Sequence, residues 1–167
     1  MKENFVRISD EKLYQRTLQL LDERGVTIHD IAELVYFLQS KYFPNITLKE
    51  CESHINKVLE KREVQNAVIT GIELDKLAEK KALESPLQEI IFQDESLYGI
   101  DEIIALSIVN VYGSIGFTNY GFIDKMKPGI LEKLNAHDGV HVNTFLDDIV
   151  GAIAAAASSR IAHSQTR

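Results

Sequence analysis

Apolar residues recur along this chain at intervals of three and four, and caps and breakers cut the pattern into helices. Ser9 reads as the cap of a run in which Leu13, Thr17, Leu20, Leu21 and Arg24 share a face, with Gly25 as its stop. Thr27-Ile28-His29-Asp30 has the form of a capping box and opens a helix with Ile31, Leu34, Val35 and Leu38 on one side; Pro44 closes that region. Thr47 and Glu50 make a second box, followed by Leu48, Cys51, Ile55, Val58 and Leu59. Between Glu63 and Leu83 only Gly71 interrupts, so a long helix is predicted. Ser85-Pro86 reads as a cap followed by proline at the first helical position, opening a short helix to about Phe92.

The stretch from Ile103 to Tyr112 fits a buried strand by periodicity alone. Its length, the acids at its start and its helical company favour a helix ending near Gly113. Gly113, Gly116 and Gly121 predict a loop, with a short helix just before Lys127-Pro128, because the residue preceding proline disfavours continued helix. A further short piece is expected from Gly129 to Asn135, then a last helix capped by Asn143 or Thr144 and running to about Ala162. Hairpin signals and internal repeats are absent. The expectation is an all-α, compact single-domain bundle of about six to eight helices. Residues 1–62 would form an N-terminal helical region and residues 63–163 would carry the chemistry.

Composition narrows the classes. A chain of 167 residues suits one domain that buries roughly 70% of its unfolded surface. A net charge of −7 argues against nucleic acid or an anionic membrane surface as the main partner. Cys51 stands alone, which excludes an internal disulfide and fits a reducing compartment. No uninterrupted run reaches the ~18 apolar residues that cross a bilayer. The start, Met1-Lys2-Glu3-Asn4, lacks the apolar core of a signal peptide, so a cytoplasmic protein is expected.

Two segments then change the picture, because each sets paired acids into apolar sequence. Ile100-Asp101-Glu102-Ile103-Ile104-Ala105-Leu106 and Phe145-Leu146-Asp147-Asp148-Ile149-Val150-Gly151-Ala152 both read as the first turn of an apolar helix. An unpaired buried carboxylate costs several kcal/mol, so a fold carrying four must neutralise them. A divalent cation with oxygen ligands does so, and Mg²⁺ is the usual one where phosphate chemistry is done. Adjacent helical residues stand ~100° apart, so one acid of each pair aims inward while its neighbour caps or supports. Acids at helix starts also favour the macrodipole on their own account, which is the plainer use of either pair. Gly151, Ala152 and Ala155 form a small-residue face that lets a neighbouring helix approach.

Between the pairs lies Asp124-Lys125-Met126-Lys127-Pro128, with Asp124 and Lys127 three apart. Lys127 suits a phosphate oxygen as a point charge, oriented by Asp124; a surface ion pair is the simpler use. Other chemistries find less support. Cys51 has no following arginine at phosphatase-loop spacing, and His137-Asp138 has no companion spacing from His29, His54, His141 or His163. The charged stretch Glu73 to Glu84 reads as a solvated face. Phosphate-loop, nucleophile-elbow and zinc-protease motifs are missing.

Taken in order, these segments resemble the phosphatidylglycerophosphatase A family. That family shows an Asp seven residues before the first pair, then Ile-Asp-Glu, Asp-x-x-Lys-Pro and Asp-Asp-Ile-x-Ala-Gly. Here they read Asp94, Ile100-Asp101-Glu102, Asp124-Lys125-Met126-Lys127-Pro128 and Asp147-Asp148-Ile149-Val150-Gly151-Ala152, within about Val64 to His163. The resemblance implies an all-α fold, a Mg²⁺ requirement and hydrolysis of phosphatidylglycerophosphate to phosphatidylglycerol. The chain departs from better-known members, which are integral membrane proteins, in its charged amphipathic N-terminal region. It also inverts Ala-Gly to Gly151-Ala152.

The leading expectation is therefore a Mg²⁺-dependent phosphomonoester hydrolase. Glu102, Asp147 and Asp148 would hold the metal, with Asp101 and Asp94 as further ligands or supports. Asp101, Asp148 and Lys127 would do the chemistry, and Lys127 with Asp124 would bind phosphate. The partner would be a phosphorylated small molecule or a lipid headgroup. For a lipid, peripheral membrane contact would run through a flexible apolar lip at Tyr112, Ile115, Phe117, Tyr120 and Phe122. From another class, a metal-stabilised interaction module without turnover would use the N-terminal region, Ser9 to Arg62, as its partner surface. The Ala-rich last helix suits a homodimer and a monomer core equally.

Overall fold

The computed structural model describes residues 6–165 and is helical, with no strand among the described residues; Met1 to Asn4 lie outside them. The helices are α1 (Asp10–Glu23), α2 (Ile28–Gln39), α3 (Leu48–Leu59), α4 (Arg62–Glu79), α5 (Leu87–Phe92), α6 (Ile100–Val109), α7 (Gly113–Met126), α8 (Ile130–Asn135) and α9 (Leu146–Ser164). The N-terminal start signals act as read. Ser9 accepts from the Lys12 amide, and Thr27 with Asp30 and Thr47 with Glu50 close reciprocal capping boxes. The apolar faces of α1, α2 and α3 are the ones buried.

Helix α9 runs through the middle. Every residue from Leu146 to Ser159 is buried, and α2, α3, α4, α6, α7 and α8 pack around it. Its alanines are thus used inside the chain, as the filler that lets several helices approach one axis. Crossing is closest at Gly71 of α4, where an added Cβ would lie 2.3 Å from Ile149 Cδ1 and 2.9 Å from Phe145 Cβ.

Three expectations need correction. The first concerns the glycine-rich stretch, which is not a loop or a flexible lip but the helix α7. Only Gly113 takes a left-handed φ, at the bend after a 3₁₀ turn (Asn110–Tyr112). Gly116 is helical, and its lack of a side chain serves packing: an added Cβ would lie 3.0 Å from Val109 Cγ1. The 3.6-residue apolar pattern through Tyr120 and Ile123 outweighs the cost of the glycines, about 1 kcal/mol each.

The second concerns caps. Pro86, after a cis bond from Ser85, occupies the cap position of α5 and makes no side-chain cap bond; the helix starts at Leu87. Gln88 instead ties α5 to the end of α4, donating to Ala78 O and accepting from the Leu83 amide. At α9, neither Asn143 nor Thr144 caps. Asp75 of α4 accepts from the Phe145 and Leu146 amides at 3.0 Å each, while Thr144 donates to Ile91 O.

The third concerns bilayer-length sequence. Ile100–Met126 is long and apolar enough by length and composition to cross a membrane, and only 28% of its most apolar window is buried. In the fold the stretch doubles back. The Ser159 hydroxyl donates to Tyr112 O at the far end of α9, whereas Asp101 and Lys127 line one cleft at the near end. At 1.5 Å per residue α6 is about 15 Å long and α7 about 21 Å, each short of the ~30 Å hydrocarbon layer.

Candidate functional site

The near end of this hairpin meets the start of α9, and the acids converge there. One open cleft of about 220 Å³ is lined by Asp94, Glu95, Asp101, Glu102, Asp124, Asp147 and Asp148, together with Ser96, Asn135 and Lys127. Every residue proposed from the sequence to hold metal or phosphate is among them. With seven carboxylates to one ammonium, the cleft carries a large excess of negative charge. Glu95, Ser96 and Asn135 have no role in the sequence motifs; the first two follow directly on Asp94.

The geometry centres on Lys127. Its Nζ lies 2.6 Å from Asp124 Oδ1, 2.8 Å from Asp147 Oδ2 and 3.7 Å from Asp148 Oδ1. Asp124 and Lys127 thus form the pair their spacing suggests, extended across to α9. Burial alone would push the Lys127 ammonium down, but Asp147 and Asp124 outweigh it and hold it above the ordinary lysine range. Lys127 ends α7 in the left-handed region, with φ 46°, and Asp94 has φ 51°. Only Lys81 joins them among the described non-glycine residues with positive φ. Such conformations persist where surrounding structure enforces them, and they gather at functional sites.

Asp147 and Asp148 are each only 6% exposed. Burial raises both above the usual carboxylate range; Lys127 opposes this at Asp147, and the charge of Asp147 adds to it at Asp148. Asp94 is raised as well, first by burial and then by Asp101. Asp101 is half-buried and Glu102 is exposed, so the expectation of four buried carboxylates is corrected to two. The reason is that α6 lies on the outside, with Ile100 and Ile103 facing solvent.

Among the described residues, no group of three or more Asp, Glu, His or Cys side chains is gathered tightly enough to hold a metal ion as they lie. Lys127 stands between the carboxylates that would otherwise meet. The donor set itself is all oxygen and strongly anionic, which suits a hard divalent cation. By the chemistry of that donor set the residues fit Mg²⁺. One turn before Asp124 on α7, the Tyr120 hydroxyl is buried without a hydrogen-bond partner. His137, set aside on sequence spacing, has its Nε2 3.8 Å from Asp94 Oδ2, a proximity that no motif signals.

Two residues outside the motifs hold the site in place. Asp75 is fully buried, and burial pushes it well above the usual range despite two backbone donors. Arg24 donates to Glu79, Val142 O and Asn143 Oδ1 at 2.6, 2.8 and 2.9 Å, latching the segment that leads into α9.

Comparison with known proteins identifies the family. Residues 18–163 match the phosphatidylglycerophosphatase A family, a wider span than the motif region because it takes in α2 and α3. The chain is 66% identical to the uncharacterized protein YutG of Bacillus subtilis (strain 168) over 143 residues, 86% of each chain. Among solved structures it superposes on the low temperature requirement C protein from Listeria monocytogenes with a TM-score of 0.93 at 65% identity, covering 95% of this chain and 100% of that one. A protein of unknown function from Bacillus stearothermophilus gives a TM-score of 0.91 at 64% identity, covering 97% and 99%. With nearly the whole length matched and the motif acids gathered in one cleft, the chain belongs to the phosphatidylglycerophosphatase A family.

Proposed function

We propose that the protein is a Mg²⁺-dependent phosphomonoester hydrolase whose substrate is a phosphorylated lipid headgroup, phosphatidylglycerophosphate being the compound the family implies. The observation that carries this reading is the single cleft in which Lys127 is held by Asp124 and Asp147 amid excess carboxylate. Such a cleft combines a cation for phosphate with anions for a metal. It also opens to solvent on the Asp101 and Glu102 side, as turnover requires.

Asp147, Asp148 and Glu102 would hold the cation, with Asp101 and Asp94 as further oxygen donors. When bound, Mg²⁺ supplies charge neutralisation at the phosphoryl oxygens and a more acidic water. Lys127 binds a phosphoryl oxygen, and Asp124 keeps its ammonium in place. A carboxylate facing the attacking water, Asp101 or Asp148, takes up its proton. The water oxygen bonds to phosphorus as the ester P–O bond breaks, and the proton taken from the water passes to the departing ester oxygen, which leaves as an alcohol.

A lipid substrate is favoured over a soluble ester by the surface beside the cleft. Ile100, Ile103 and Met126 are exposed on the helix ends that border it; Phe117 and Phe122 are also exposed on α7, about 140° apart around the helix, and Phe122 stacks on Phe37 of α2. Peripheral contact of this face with a membrane would bring a headgroup to Lys127 while the acyl chains stay in the bilayer. Phosphate release from phosphatidylglycerophosphate in vesicles, assayed with Mg²⁺, with EDTA and with Asp148→Asn, is the test. Activity in Mg²⁺ alone is expected; release that survives both EDTA and the substitution defeats the proposal. Vesicle co-sedimentation that is unchanged by Phe117→Ser would remove the membrane contact.

A further inference from the structure

The Tyr120 hydroxyl carries an inference that rests on the metal-dependent reading above. Tyr120 lies on α7, four residues before Asp124 and seven before Lys127, so the three share a helical face. Its side chain is 6% exposed, and its hydroxyl makes no hydrogen bond. The ring packs against α9 at Gly151, three residues beyond Asp148; a Cβ added there would lie 3.9 Å from Tyr120 Cε2. The charged groups that act on the phenol are Asp148 first, then Asp124, Glu102 and Asp147.

A buried hydroxyl without a partner is a net cost, and phenylalanine would fill the same space without it. The other buried side-chain atoms without partners among the described residues belong to His54, Gln65, Tyr112, Ser158 and Arg160, and none of these sits one turn below a cleft acid on both α7 and α9, as Tyr120 does beneath Asp124 and Asp148. A carboxylate could accept from the phenol directly, but none is hydrogen-bonded to it, so a group that bridges them must accept from the phenol and donate to a carboxylate. Water does both.

We propose that Tyr120 is a positioning residue: its hydroxyl holds an ordered water beneath the cleft, one turn below Asp124 and Asp148, and that water orients the Asp148 carboxylate toward the cation. The partner arrives with the hydrated ion, so the hydroxyl favours the loaded site over the empty one.

Tyr120→Phe tests this in the full-length protein, with Tyr112→Phe as a control. Tyr112 has an equally orphaned phenol, at the other end of α9. Two readouts are needed: thermal stability titrated with Mg²⁺ alone, and steady-state phosphatase kinetics. For Tyr120→Phe the metal-free melting temperature should equal or exceed that of the unsubstituted protein. The Mg²⁺ concentration for half-maximal stabilisation should rise, and kcat should fall, by about tenfold or more, with KM little changed. Tyr112→Phe should alter neither.

An unchanged Mg²⁺ midpoint and kcat in Tyr120→Phe overturns the inference and leaves the metal-dependent reading intact. A lowered metal-free melting temperature, or an equal effect of Tyr112→Phe, overturns it in favour of packing. If the unsubstituted protein shows neither Mg²⁺ stabilisation nor turnover, the functional reading fails and takes this inference with it.

Discussion

The first turns of α6 and α9 each present two adjacent acids to the same cleft, yet from opposite surroundings. Asp147 and Asp148 begin the helix around which the others pack, and they are buried with Lys127 as their only close cation among the described residues. Asp101 and Glu102 begin a peripheral helix with Ile100 and Ile103 exposed beside them. The difference is one of placement. Packing sets the α9 pair rigidly and at high electrostatic cost, whereas the α6 pair keeps the freedom and hydration of a surface. A site built this way has one fixed wall and one adjustable wall, which suits a cleft that must admit and release a substrate.

Substitutions can break that comparison. The largest effect is expected at the fixed wall, where Asp148→Asn or Asp147→Asn should lower Mg²⁺-dependent phosphatase activity roughly 100-fold. Glu102→Gln should cost only a few-fold; equal losses from both walls would show that burial does not rank these acids. Next comes Lys127→Met, which leaves two buried carboxylates without their counter-ion. Because Lys127 is partly exposed, the loss is set below that of a fully buried pair, at about 2–3 kcal/mol of metal-free stability. Chemical denaturation reads this, and added Mg²⁺ should restore much of it.

A smaller change, about 1–2 kcal/mol, is expected for Asp75→Ala, which removes the acceptor for the Phe145 and Leu146 amides. Asp75→Asn retains an acceptor oxygen and should cost less.

The smallest effect is a pH slope. Asp147 and Asp148 titrate above the usual range in the fold, so the native chain binds more protons than the unfolded one. Their contribution to stability is complete below the unfolded carboxylate value, about 4, and declines as pH rises through the folded values. Metal-free melting temperatures from pH 5 to pH 8 should carry a downward component that Mg²⁺ flattens. An Asp147→Asn, Asp148→Asn double variant should lack it.

Much of this was legible in the sequence because the signals are local. The capping boxes at Thr27 and Thr47, the stop at Gly25 and the inward faces of α1 to α3 depend on residues within a few positions of one another. The candidate acids were legible as well, since charge set into apolar sequence demands a partner. What escaped was long-range. Nothing near Gly116 announces that Val109 will fold back against it, so three glycines in ten residues read as a loop. Asp75 lies seventy residues before the helix it caps. The unequal burial of the two acid pairs follows from which helix becomes central, and adjacent residues do not encode that.

The Asp75 bond has a consequence for anyone moving this chemistry elsewhere. The azimuth at which Asp147 and Asp148 enter the cleft is fixed by a carboxylate on a different helix, outside every recognisable motif. Grafting the three acidic segments onto a new helical scaffold would therefore import the reactive groups without the peg that aims them. A sequence search keyed to those segments alone would accept a descendant whose peg has been lost.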